Sequence, residues 1–321
     1  MTETPLHTVL GAGPAGTALA AELARRNLRV RHVSRGEIPA TDERIETRRA
    51  DLSTPEAAVA ATEGASVVYH AVNVPYHLQT TVLPGIAEAI LTAASRNGAR
   101  LIVLDTLYPY GEADGEAITE RTPWAATSRK GRLRADLDRR YLEAHRDGTA
   151  RVALGRAADF FGPGVVNSTL GGGFFPGAIS GGPALGFGDL TLPHSYSYIG
   201  DVARGLATLG ADPSGDGRVW HLPANPALPT AAVHALVEEI TGRRLEVEAL
   251  TEPVPRGPFD ERLMAEYAEM FYQHRIPQNM VSADFEEAFG AAPTPWREAL
   301  SATVDWYRSV LERRDGAPGR G

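Results

Sequence analysis

Along the first 160 residues, apolar positions follow two rhythms that alternate. Segments 6–10, 28–33, 44–50, 66–71, 100–105 and 151–154 are short apolar or alternating runs and read as β-strands. Segments 14–26, 54–62, 78–97 and 126–145 space their apolar residues three and four apart and read as helices, the third stopped by Gly98. Strand and helix in alternation predict an α/β fold built on a doubly wound parallel sheet, here of six strands. Past Arg156 the rhythm breaks. Residues 162–188, rich in Gly, Pro and Phe, read as loops over a cleft. Residues 195–199 read as a strand, and Asp201 as the cap of a helix to Leu209. Strands at 218–222 and 245–249 and helices at 230–241, 260–272 and 295–312 suggest a smaller lobe. The expected organisation is a main domain over 1–160 to which 190–212 returns, a C-terminal lobe from 161–189 and 213–312, and a disordered tail over 313–321.

Composition narrows the function classes. A chain of 321 residues is long enough for a core domain plus a lobe. With no cysteine there is no disulfide frame, thiol nucleophile or thiolate metal site, and the nine histidines show no ligand spacing, so no metal centre is expected. A formal charge of −8 without a long basic run argues against nucleic acid as a partner. No apolar stretch approaches the roughly 20 residues of a membrane span, and Met1-Thr2-Glu3-Thr4-Pro5 has no basic-then-apolar leader pattern. The expectation is a soluble, cytoplasmic protein acting on a small molecule, with homodimerisation left open.

The turn between the first strand and the first helix is Gly11-Ala12-Gly13-Pro14-Ala15-Gly16. In that context Gly-x-Gly-x-x-Gly is the dinucleotide-binding signature of a Rossmann domain. Gly11 permits the tight turn, Gly13 lets the backbone approach a pyrophosphate, and Gly16 allows close helix packing. Pro14 and Ala15 open the helix whose amides and dipole meet the phosphates. An acidic residue after the second strand would bind the ribose 2′-hydroxyl of NAD, but this chain has Ser34 and Arg35 there. A hydroxyl and a guanidinium suit a 2′-phosphate, so NADP(H) is preferred, while the nearby Glu37 keeps NAD(H) open. Asp51 and Leu52 are placed to meet the adenine, and Ala71, Val72 and Asn73 to line the route to the nicotinamide.

Among 31 arginines the chain keeps one lysine, Lys130. An ammonium is a compact point charge where a guanidinium is a broad fork, so the two are not interchangeable at a shaped site. Lys130, Leu133, Leu137 and Tyr141 share one helical stripe, which turns the lysine toward the sheet and its C-terminal edge. The alternative is a surplus surface lysine.

Several segments together resemble the extended and atypical short-chain dehydrogenase/reductases, also called the NAD-dependent epimerase/dehydratase family. They are the glycine turn, Asp51-Leu52, Val67-Val68-Tyr69-His70-Ala71, Thr106-Leu107-Tyr108-Pro109-Tyr110-Gly111, the Lys130 helix, Phe161-Gly162-Pro163-Gly164 and Tyr198-Ile199-Gly200-Asp201-Val202-Ala203. The resemblance implies that Thr106 polarises the substrate oxygen and that Lys130 binds the nicotinamide ribose. The family's Tyr-x-x-x-Lys is incomplete, because Ala126 stands where the tyrosine belongs.

Three readings follow. In the first, an oxidoreductase reducing a carbonyl or conjugated double bond recruits another phenol. Tyr108 leads, as in the atypical group resembling progesterone 5β-reductase, where a catalytic residue comes from this same loop, and Lys130 would lower its pKa from about 10. Tyr76, Tyr110 and Tyr196 are further substrate-facing candidates. In the second, a cofactor-assisted epimerase, isomerase or cyclase works without net redox, with His194 and Tyr196 facing the substrate and supplying acid or base. In the third, a non-catalytic sensor retains only the NADP(H) site.

Overall fold

The computed structural model describes residues 4–38, 42–113 and 115–315. Seven strands, β1 Leu6–Leu10, β2 Arg29–Ser34, β3 Ile45–Arg49, β4 Ala65–His70, β5 Arg100–Thr106, β6 Val152–Ala157 and β7 Val219–His221, form one parallel sheet. Their order is β7-β6-β5-β4-β1-β2-β3, so the winding reverses between β1 and β4. That switch point opens a crevice at the strands' carboxyl ends.

Helices α1 Pro14–Arg25, α2 Pro55–Ala61, α3 Tyr76–Arg96 and α4 Arg129–Arg146 belong to the alternating half, and α5 Phe175–Ser180 and α6 Ile199–Ala211 follow. Alternation along each strand sends neighbouring side chains to opposite faces. Leu10, Val33, Val68, Leu101, Val103 and Leu154 pack with α2, α3 and α4, while Val9, Val30, Val67, Ile102 and Ala153 pack with α1 and α6. The C-terminal half adds α7 Thr230–Thr241, α8 Glu261–Tyr267, α9 Ala283–Phe289 and α10 Trp296–Asp315. Phe161, Phe174, Phe175, Val233, Leu300 and Val304 make one core there; Phe187, Phe259, Met264, Tyr267 and Phe271 make another. No helix among the described residues is long and apolar enough to cross a membrane.

The structure corrects several expectations. The sheet has seven strands, because β7, expected in the second lobe, pairs with β6; Trp220 holds it there by packing on Phe285 and Phe289 of α9, a helix the sequence reading missed. Helix α4 starts at Arg129, with the Ser128 side chain accepting from Gly131 N, so Ala126 lies outside it. Asp201 is not a cap: it sits in the first turn of α6 and its carboxylate accepts from the Thr294 amide and hydroxyl. Residues 162–188 hold α5 and a strand, Pro183–Phe187, paired parallel with Glu246–Leu250. Residues 313–315 continue α10 instead of forming a tail, and 316–321 lie outside the described residues.

The buried face of α4 is charged. Besides Lys130 and Tyr141 it buries Arg134 and Asp138, which an apolar stripe does not reveal. Asp138 meets Arg156 at the end of β6, and Arg156 Nε also donates to Asp105 Oδ2 on β5 at 2.7 Å. The guanidinium lies between the rings of Tyr110 and Trp124, 4.5 and 4.6 Å from their centroids. Burial, then the Asp105 charge, holds the Asp138 carboxyl well above the usual carboxylate range despite Arg156. Removing the cation would strand two buried acids. Arg156→Met is expected to lower unfolding free energy by about 3 kcal/mol or more, measured by urea denaturation; a change under about 1 kcal/mol would show that the cluster is not an anchor.

Candidate active site

The glycine turn has the shape a dinucleotide needs. Gly11 has φ +107°, and a Cβ there would lie 2.6 Å from Ala71 O; a Cβ on Gly16 would lie 1.9 Å from Gly11 O. A Cβ on Gly13 would meet nothing within 4 Å, so the open side of the turn faces free space at the N-terminus of α1. Pro14 and the buried Ala15 begin that helix. The sequence reading missed His32, whose Nε2 donates to Gly11 O at 2.9 Å and ties the turn to β2; burial lowers its pKa. These residues fit a dinucleotide pyrophosphate.

Ser34 closes β2 opposite Arg49, half-buried, and its hydroxyl accepts from Gly36 N, while Arg35 and Glu37 are exposed beside it. Asp51 is exposed and accepts from Ser53 N, whereas Leu52 is buried. Ala71 N donates to Leu10 O, Val72 N to His70 Nδ1, and the Asn73 Oδ1 accepts from Gln79 and Arg134, both at 3.2 Å.

Beyond β5 and β6 lies a cavity of about 180 Å³. Asn73, Tyr76, Thr106 and Tyr108 line it together, and its wall also includes Ala157–Phe160, Asn167–Thr169, Phe187, Phe259, Met264, Tyr267, Gln273 and Gln278. The hydroxyls of Tyr76 and Tyr108 are 2.6 Å apart, and Thr106 Oγ1 accepts from Tyr108 N. Burial pushes Tyr76 up to about 12 and Tyr108 well above 10. The expectation that Lys130 lowers the Tyr108 pKa is therefore reversed, because desolvation dominates.

Lys130 is 1% exposed, which removes the surface-lysine alternative. Its Nζ donates to Glu266 Oε2 at 2.6 Å, to Glu269 Oε1 at 2.7 Å and to Glu266 O at 3.0 Å, and stands 5.5 Å from the Tyr76 ring centroid. The ammonium thus joins α4 to the segment that follows Asp260. Ala126 N donates to Pro109 O, which ties the segment before α4 to the Tyr108 turn.

Three expected substrate-facing residues are turned elsewhere. Tyr110 is buried with its hydroxyl on His221 Nε2 at 2.6 Å, and Tyr196 reaches Thr230 Oγ1 at 3.1 Å; neither lines the cavity. His194 lies behind the cavity wall and donates from Nε2 to Asp159 Oδ2 at 3.1 Å. Asp159, which the sequence reading missed, lines the cavity, and Thr169 also donates to its Oδ2. Burial raises its pKa, but bonding to His194 leaves it below the usual carboxylate value. His274 stacks on His194 with centroids 4.8 Å apart and bonds Tyr267 through Nε2; burial lowers its pKa to about 3. Asp159, His194 and His274 bring potential metal-ligating atoms within 4.8 Å of one another, which corrects the expectation that no such constellation exists. No spacing signals it, because the three come from separate segments.

Hydrogen bonding from Lys130 lowers the Glu266 pKa below 4.5; burial raises that of Glu269, but bonds from Lys130 and Arg129 N bring it below 4.5 too. Both are stronger acids folded than unfolded, so their contribution is present above about pH 4.5 and is lost as pH falls through the folded values. The double change Glu266→Gln and Glu269→Gln should flatten that acid limb and cost about 3 kcal/mol at neutral pH by stranding the ammonium, read by denaturation across pH. Lys130→Arg should also lower Tm; an unchanged Tm would show that a fork fits as well.

Residues 8–222 match the family model described as the NAD dependent epimerase/dehydratase family. No curated protein sequence matches the chain. Among solved structures it is similar to MoeE5 in complex with UDP-glucose and NAD, with TM-score 0.77 and 21% identity over 95% of this chain and 99% of that one. It is also similar to DesIV, a dTDP-glucose 4,6-dehydratase from Streptomyces venezuelae with NAD and TYD bound, with TM-score 0.77 and 18% identity over 96% and 98%. A UDP-glucose 4-epimerase from Thermotoga maritima gives TM-score 0.78 and 18% identity over 95% and 99%. At these identities the structural likeness speaks for the fold, while the match over most of the sheet domain speaks for descent: the chain belongs to the NAD-dependent epimerase/dehydratase family, within the short-chain dehydrogenase/reductases.

Proposed function

We propose that the protein is an NAD(P)(H)-dependent oxidoreductase of the atypical extended short-chain type, reducing a carbonyl or conjugated double bond of a small organic molecule. The observation that carries this reading is the Tyr76–Tyr108 hydroxyl pair, 2.6 Å apart on a cavity wall shared with Thr106. When bound, the nicotinamide supplies the hydride. The Thr106 hydroxyl orients the substrate oxygen, and Tyr108 gives it a proton as negative charge builds there. Tyr76 then hydrogen-bonds the Tyr108 oxygen and spreads the charge left on it. Burial keeps both phenols protonated, so the pair holds a proton at the cavity wall. In this reading Lys130 is a positioning residue, its charge spent on Glu266 and Glu269.

For the cofactor, Gly11, Gly13, Pro14, Ala15 and Gly16 would hold the pyrophosphate, Leu52 and Asp51 the adenine side, and Ala71 to Asn73 the nicotinamide route. Ser34 and Arg35, joined by Arg49 on the neighbouring strand, favour a 2′-phosphate and hence NADP(H).

Fluorescence titration of the protein should show binding of NADPH, tighter than NADH by about tenfold, and Arg35→Ala should erase that preference. Failure to bind either nucleotide would overturn the proposal. With NADPH oxidation measured against carbonyls and enones, Tyr108→Phe is expected to lower kcat about 100-fold while leaving NADPH affinity unchanged. Full activity in that variant would remove Tyr108 from the mechanism.

A further inference from the structure

The cavity's charge is one-sided. Among the described residues its lining contains no lysine, arginine or histidine, and its one carboxylate is Asp159. Two donors, His194 Nε2 and Thr169 Oγ1, are both spent on Asp159 Oδ2, and Oδ1 has no hydrogen-bond partner among the described residues. A second acceptor belongs to the same lining. Gln273 gives its Nε2 to Met270 O, so its Oε1 must accept, which it does from Gln278 Nε2 at 3.0 Å. This network fixes the Gln278 amide with Oε1 as its remaining group. That oxygen is buried without a partner, in a side chain that lines the cavity and is 6% exposed. Around these acceptors stand the rings of Tyr76, Tyr108, Phe160, Phe187 and Phe259.

A nucleoside diphosphate is held by guanidinium or ammonium groups or by helix amides. A lining with a carboxylate and no cation would repel it. An ammonium reverses each term: it is attracted to the carboxylate, it has N–H groups to give an unpartnered acceptor such as Asp159 Oδ1, and aromatic faces favour it.

We propose that this cavity binds a phosphate-free small molecule carrying a protonated amine, with Asp159 as its counter-ion. This rests on the reading that the cavity is the substrate site, and it sharpens the substrate there to an amine-bearing carbonyl compound. It also separates this chain from the UDP-glucose complexes of its structural neighbours.

The test is a charge series of near-equal shape, benzylamine, benzyl alcohol and benzoate, with UDP-glucose alongside, each titrated into the full chain by ligand-observed NMR at neutral pH. Benzylamine is expected to bind at least about tenfold more tightly than benzyl alcohol, with benzoate and UDP-glucose weaker still. Asp159→Asn should bring the amine and the alcohol level. Equal binding of amine and alcohol, tighter benzoate, UDP-glucose binding ahead of the amine, or an amine preference that survives Asp159→Asn would overturn the proposal. Should that variant not fold, the series on the unaltered protein decides alone. NADPH titrated into the same samples keeps the two readings apart, since loss of cofactor binding strikes the oxidoreductase proposal while the charge series still reports on the cavity.

Discussion

The geometry of the site depends on one buried cation. Arg156 ends β6 with its charge shared between Asp105 of β5 and Asp138 of α4, and its plane held between Tyr110 and Trp124. These contacts fix the last turn of β5, the loop after it and the facing side of α4 as one unit. Thr106 and Tyr108 belong to the first part and Lys130 to the last. Their spacing is therefore set by an ionic joint one residue from Thr106, three from Tyr108 and about two helical turns from Lys130, not by the loop itself. The joint is hydrogen-bonded further through Tyr110 to His221 of β7, whose Nδ1–H goes to Val281 O, so the added strand braces it from the other side.

Above this rigid floor the second half of the chain supplies an aromatic roof, and neutral histidines do structural work in both. His221 is held near 4 and His274 near 3 by burial, so both act as uncharged hydrogen-bond groups at physiological pH. Charge is placed sparingly: a carboxylate faces the cavity, and the ammonium of Lys130 is matched outside its lining by two more. Such separation lets a low-dielectric cavity distinguish ligands by the sign of their charge.

The sheet and the cofactor turn were legible because their signals are local. Gly11, Gly13 and Gly16 announce a turn whatever lies elsewhere, and the strand–helix rhythm needs only neighbours in sequence. The misreadings share a cause. Strand β7 has three residues and is recognised by Trp220 packing on α9; the inner face of α4 carries Arg134 and Asp138, which a search for apolar stripes places outside. Tyr110 has the composition of a substrate contact, yet a buried imidazole 111 positions away claims its hydroxyl. Asp159 opens a strand, Asp159–Phe161, that pairs in parallel with Tyr196–Tyr198, whereas His194 lies on Pro193–His194, paired antiparallel with Leu228–Pro229, and no single segment encodes their meeting.

The composition that made Lys130 conspicuous has a practical side. With a single lysine in the chain, amine-selective acylation has one side-chain target, and that target is sealed at the seam between α4 and the segment bearing Glu266 and Glu269. Its modification can proceed only when that seam parts. The rate at which one acyl group is added to Lys130, read by peptide mass, therefore reports solvent access to that seam without any label or substitution being introduced.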